Sequence, residues 1–166
     1  MEILSQYEIP YLHPLAVHFP LVLLLLGAGA AVFYLVLGRA VWRQAGLVLF
    51  ALGALGAWAA SVTGEDLYPA VEGDPLVERV IETHHDAADA TTLASAVAAG
   101  LFLIVSVARF RPRRRKTDEG DDAPAPPSKR EPLWGRLLVL LPALAAAALV
   151  AWTAHLGGIM VWGVPR

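Results

Sequence analysis

The residues of this 166-residue chain with most chemical reach are its five histidines, His13, His18, His84, His85 and His155. Imidazole ligates haem iron, copper and zinc, and exchanges protons near neutral pH. Cysteine is absent. That removes disulfides, thiolate-held iron–sulfur clusters, covalent c-type haem and cysteine nucleophiles. A bound group must therefore use His, Met, carboxylate or backbone donors. No Ser or Thr beside a His–Asp pair forms a recognisable hydrolase motif, so a self-contained hydrolytic enzyme is not expected.

Long uncharged runs must position these histidines. They extend from Leu15 to Leu37, Ala45 to Val62, Ala90 to Ala108 and Leu137 to Ala154. Each approaches the roughly 20 residues that cross about 30 Å of hydrocarbon at about 1.5 Å per residue. With 57% hydrophobic and only 17% charged residues, too little polar surface exists to make four such helices soluble. The expected fold is all-α, an integral membrane four-helix bundle. Its spans fall near 14–38, 43–63, 86–109 and 134–156, with an outer loop over 64–85 and a cytoplasmic linker over 110–132.

Loop charge sets the expected orientation. The first connection holds Arg39 and Arg43. The third holds Arg109, Arg111, Arg113, Arg114, Arg115, Lys116, Lys129, Arg130 and Arg136. The second holds Arg79 among Glu65, Asp66, Glu72, Asp74, Glu78 and Glu82. Positive-inside bias puts the first and third connections in the cytoplasm and both termini outside, in a bacterial inner membrane. Glu2 and Glu8 precede the first run, with no Lys or Arg, which argues for a retained helix rather than a cleaved signal peptide.

Residues 112–132 are polar and Pro-rich, too poor in apolar residues to build a core, and read as a flexible linker. The Arg113–Lys116 block determines topology and could also meet anionic lipid. Nucleic acid is not an expected partner. In the outer loop Asp74-Pro75 is a good helix start, Asp as N-cap and Pro at the first helical position. Leu76, Val77, Val80, Ile81 and His84 follow at helical spacing, so the third helix is expected to begin near Pro75; a separate interfacial helix is the competing reading. Thr63-Gly64-Glu65-Asp66 reads as the turn closing the second helix.

On this topology all five histidines lie near the outer face. His13 and His18 are about 140° apart on an ideal helix, five steps of about 100°, so they should not face one ligand. His84 shares a face with Ala88, Thr91, Ser95 and Ala98, and His155 shares one with Ala151, Ala148 and Leu144. Small residues beneath a histidine leave room for a flat macrocycle and equally serve close helix packing. Gly46, Gly53 and Gly56 belong to packing. Asp89, four residues after His85, could fix that ring's tautomer, with Thr63 and Glu65 as further supporting groups.

The segment His13-Pro14-Leu15-Ala16-Val17-His18-Phe19-Pro20 resembles the opening motif of domain-of-unknown-function family 2231, predicted bacterial membrane proteins. Thr63-Gly64, His84 (a better fit than His85) and Ala154-His155-Leu156-Gly157-Gly158 are similar to that family in order and spacing. The tail departs from it, with Met160-Val161-Trp162-Gly163-Val164 where a Tyr and a Gly-Val run are usual. Relatives joined to Rieske-type iron–sulfur modules imply electron transfer.

Three functions follow as expectations. The first is a b-type haem-binding or electron-transfer subunit, its axial pair drawn from His18, His84 and His155, with His13 and His85 as further candidates. Its partner would be a respiratory or redox membrane complex or a periplasmic electron carrier. The second is a copper or zinc site built from His18, His84, His85 and His155. The third is an accessory or structural membrane subunit without a cofactor. A small transporter and a pH-responsive element remain open behind these.

Overall fold

The computed structural model describes residues 12–109 and 131–163. A single helical turn, α1 (His13–Ala16), leads into α2 (His18–Leu37), followed by α3 (Ala40–Val71), α4 (Pro75–Ala108) and α5 (Leu133–Trp162). No strand occurs among the described residues. Four helical segments are long and apolar enough to cross a membrane, α1 and α2 together forming the first. Each span packs against the next, and α5 closes back on α2.

Glycines set how closely the spans approach. A Cβ at Gly56 would meet the Pro20 ring, one at Gly53 the Leu24 side chain, and one at Gly27 the Phe50 ring. These contacts pair α2 and α3 antiparallel, and close approach at small residues is how helices gain dispersion contacts in lipid. A Cβ at Gly46 would fall 2.5 Å from Phe102 Cζ. Phe50 and Phe102 stack with centroids 5.7 Å apart at the centre of the bundle. Around them Leu24, Ala31, Ala98, Val139, Ala143 and Ala146 are buried. Outward-facing Leu26, Leu55, Leu93, Ile104 and Leu141 are exposed, an apolar coat suited to lipid.

The two longest helices extend well past what a bilayer requires. The 32 residues of α3 and 34 of α4 correspond to about 48 and 51 Å at about 1.5 Å per residue, against about 30 Å of hydrocarbon. The expected turn at Thr63-Gly64-Glu65-Asp66 does not form. Helix α3 continues to Val71, and the 64–85 region is an α3–α4 hairpin turning at 72–74. Asp74 N-caps α4, accepting from the Leu76 N–H at 2.8 Å, with Pro75 at the first helical position as its sequence predicts.

The far end of the bundle is tied by charge. Arg43, expected in a loop, lies in the first turn of α3 and is only 6% exposed. Its Nε donates to Glu131 Oε2 at 3.1 Å, and its Nη2 donates to Glu131 Oε1 at 3.2 Å. The Tyr34 hydroxyl donates to Glu131 Oε2 at 2.5 Å. Arg136, 8% exposed in the first turn of α5, donates from Nη1 to the Leu35 carbonyl at 2.9 Å and from Nε to the Glu131 carbonyl at 2.7 Å. The Glu131 N–H donates to the Gly38 carbonyl. Gly38 is left-handed at φ 62°, and a Cβ there would lie 2.6 Å from Arg136 Cζ. Only glycine turns the chain in so little space.

Removing one partner of a buried ion pair costs about 3–5 kcal/mol, because the other charge stays desolvated. Glu131→Ala is therefore expected to lower the Tm sharply in detergent or nanodiscs; an unchanged Tm would show that the network contributes nothing. Gly46→Ala should cost about 1–3 kcal/mol by overpacking Phe102. Gly100 meets nothing within 4 Å, so Gly100→Ala should instead stabilise by up to about 1 kcal/mol through helix propensity. Equal shifts for the two glycine variants in thermal melts would refute the packing account.

Candidate functional site

The five histidines do share one end of the bundle, but not one direction. His13 and His84 turn inward. His18, His85 and His155 are exposed on the periphery. Helix phase separates His13 from His18 as their spacing predicts. His18 Nδ1 lies 2.6 Å from the Pro14 carbonyl of the preceding turn, α1, so that ring answers to a local backbone group. His85 Nδ1 is 3.9 Å from Asp89 Oδ2, a loose and largely solvated pair. His155 tilts against Trp152 with centroids 5.6 Å apart. The small face expected beneath His155, Leu144, Ala148 and Ala151, is exposed with it. The core-facing side of α5 is Val139, Ala143, Ala146, Val150 and Leu156.

His13 is held by α3. Its Nδ1 is 2.9 Å from the Ala60 carbonyl and 3.2 Å from Thr63 Oγ1. The Thr63 hydroxyl already donates to the Ala59 or Ala60 carbonyl, each at 3.0 Å. A carbonyl can only accept, so the pattern assigns the proton to His13 Nδ1 and leaves Nε2 as the ring's acceptor, unpartnered among the described residues. Gly64 makes the seat: a Cβ there would stand 3.0 Å from His13 Cε1. Of the supporting groups expected from sequence, Thr63 is in contact with a histidine, Asp89 meets only exposed His85, and Glu65 is exposed.

His84 sits over Gly157 of α5, where a Cβ would lie 3.4 Å from His84 Cε1. Its Nδ1 is buried and has no hydrogen-bond partner among the described residues. Beneath the ring, the Thr91 and Thr153 hydroxyls are 3.0 Å apart. Each also donates toward a carbonyl of its own helix, Ala87 or Leu149. Two imidazoles thus turn inward at the same end of the bundle, His13 seated against α3 and His84 against α5.

Among the described residues no three His, Asp or Glu side chains gather as a metal-binding group. Sequence reasoning named both inner histidines but not what seats them. The signal was there in Gly64, a helix-interior glycine that costs about 1 kcal/mol relative to alanine and so marks a close approach. Gly157 carries the same mark.

Four antiparallel apolar helices with polar groups collected at the two ends define a multi-pass integral membrane protein. The chain belongs to the predicted membrane protein family DUF2231, whose profile matches residues 9–164. No curated protein and no solved structure matches it.

Nitrogen-15 NMR of histidine-labelled protein tests the tautomers. His13 is expected as the Nδ1–H form, as its hydrogen bond to the Ala60 carbonyl requires. The Nε2–H form at His13 would refute that hydrogen bond. Thr63→Val removes one hydroxyl at constant shape and should cost about 0.5–1.5 kcal/mol.

Proposed function

We propose that this chain is a multi-pass protein of the bacterial inner membrane, with both termini extracytoplasmic, whose histidine end binds a transition-metal ion, copper or zinc. His13 Nε2 and His84 Nδ1 supply the two protein donors. The observation that carries this reading is the buried Nδ1 of His84, without a hydrogen-bond partner among the described residues, at the same end of the bundle as a second inward-facing imidazole whose own N–H is already engaged. A buried lone pair without a partner is costly, and a Lewis acid or a proton relieves it. Imidazole suits copper and zinc, and carbonyl hydrogen bonds to the far nitrogens orient ligating rings in known sites. Two donors leave coordination positions for an exogenous ligand or a partner, which fits an exchanging site better than a closed structural one.

The orientation rests on charge. Arg39, Arg43, Arg109 and Arg136 crowd the end opposite the histidines, the distribution favoured on the cytoplasmic side. The partner class remains a membrane redox complex or a periplasmic electron carrier. A cofactor-free accessory subunit is the second reading, favoured by how both rings are seated on glycine as if to clamp helices. A b-type haem would draw its axial nitrogens from the same two rings.

One preparation separates these. Protein purified in detergent is analysed for metals and its visible spectrum recorded before and after dithionite. The proposal expects stoichiometric copper or zinc, lost in His13→Ala and His84→Ala and retained in His18→Ala, His85→Ala and His155→Ala. A Soret band that shifts on reduction would replace it with haem; colourless, metal-free protein would leave the accessory subunit. The chain contains no cysteine, so single-cysteine variants report orientation cleanly. Glu72→Cys should react with an impermeant maleimide from outside and Arg115→Cys should not.

A further inference from the structure

A groove of about 650 Å³ runs along the outer face of α4 and α5, lined by Leu101, Trp134, Leu137, Leu138, Leu141 and Pro142. Its walls are almost wholly apolar, and Leu141 within it is 73% exposed. Pro142, with no N–H to give the Leu138 carbonyl, forms its deep end. At the opposite end the Arg109 guanidinium lies over the Trp134 ring, 5.2 Å from the centroid. From Trp134 to Pro142 is eight residues, about 12 Å of helix rise, most of the roughly 15 Å depth of one leaflet's hydrocarbon.

We propose that this groove is a binding site for an anionic phospholipid, one acyl chain lying along Leu137, Leu138 and Leu141 and the phosphate meeting Arg109. Length and polarity match a chain entering from one leaflet. The aromatic ring stands at the interface, where tryptophan is favoured, and holds the guanidinium at the rim with donors to spare for a phosphate. Charge complementarity selects an anionic headgroup over a zwitterionic one. Among the described residues at this end Arg39, Arg43, Arg109 and Arg136 face a single carboxylate, Glu131, which Arg43 and Tyr34 already occupy. Arg109 itself makes no ion pair among the described residues. The site is independent of the histidines, at the other end of the bundle.

Tryptophan fluorescence in phosphatidylcholine vesicles tests it, with brominated phosphatidylglycerol or brominated phosphatidylcholine added as quencher. The contribution of Trp134 is the difference between the wild-type protein and Trp134→Phe. Brominated phosphatidylglycerol should quench Trp134 at about fivefold lower mole fraction than brominated phosphatidylcholine, the factor expected of one basic residue near an anionic headgroup. Arg109→Gln should bring the ratio close to one, and Arg109→Lys should keep most of it. Replacing Arg113, Arg114, Arg115 and Lys116 by Gln should leave it intact. Equal quenching by the two lipids in the wild-type protein would overturn the site, whatever the variants do. So would a preference that survives Arg109→Gln, or one lost with the linker block while Arg109 remains.

Discussion

A carboxylate taken out of water must be met by charge and hydrogen bonds, and the arrangement around Glu131 follows from that constraint. Its side chain is 13% exposed and is bound by Arg43 and Tyr34. Its backbone receives Arg136 and reaches Gly38. One residue thereby fixes the entry of α5 against the end of α2 and the start of α3. The tight Gly38 turn and the burial of two arginines both depend on it. Without the carboxylate, the Arg43 guanidinium would sit in a low-dielectric interior with no counter-charge among the described residues.

The opposite end is held by weaker means. His13 reaches an α3 carbonyl, Thr91 touches Thr153, and His84 rests on Gly157. These are neutral contacts, each contributing about 1 kcal/mol at most beyond what water would offer. The apolar middle, with Phe50 against Phe102, separates the two ends. One end is therefore held by charge, and the other by neutral contacts that leave the His84 Nδ1 without a partner among the described residues.

Much of the fold is legible in residue pattern, because hydrocarbon thickness sets span length and Asp74-Pro75 is a strong local start signal. The packing roles of Gly46, Gly53 and Gly56 are legible too, as is the opposition of His13 and His18. Rotation about each helix axis is not. In a soluble helix the polar face marks the outside, but here lipid-facing Leu144, Ala148 and Ala151 are as apolar as core-facing Val139, Ala143 and Ala146. Nothing along α5 therefore says that His155 looks outward. Thr63-Gly64-Glu65-Asp66 has poor helix propensity and still stays helical, because the chain beyond it packs as a hairpin and local preference yields to tertiary contact. Glu131 is hidden differently. It closes a Pro-rich polar stretch whose composition suggests solvent, and only the fold brings Arg43 and Tyr34 to it.

The surplus length of α3 and α4 has an electrical consequence. The hairpin they form carries Glu65, Asp66, Glu72, Asp74, Glu78, Glu82, Asp86 and Asp89 against a single Arg79. Standing about 20 Å beyond the hydrocarbon, it gives the histidine end of the bundle a negative potential. Such a field acts as an antenna, enriching small cations near the surface and speeding their arrival, more strongly in dilute buffer than in brine.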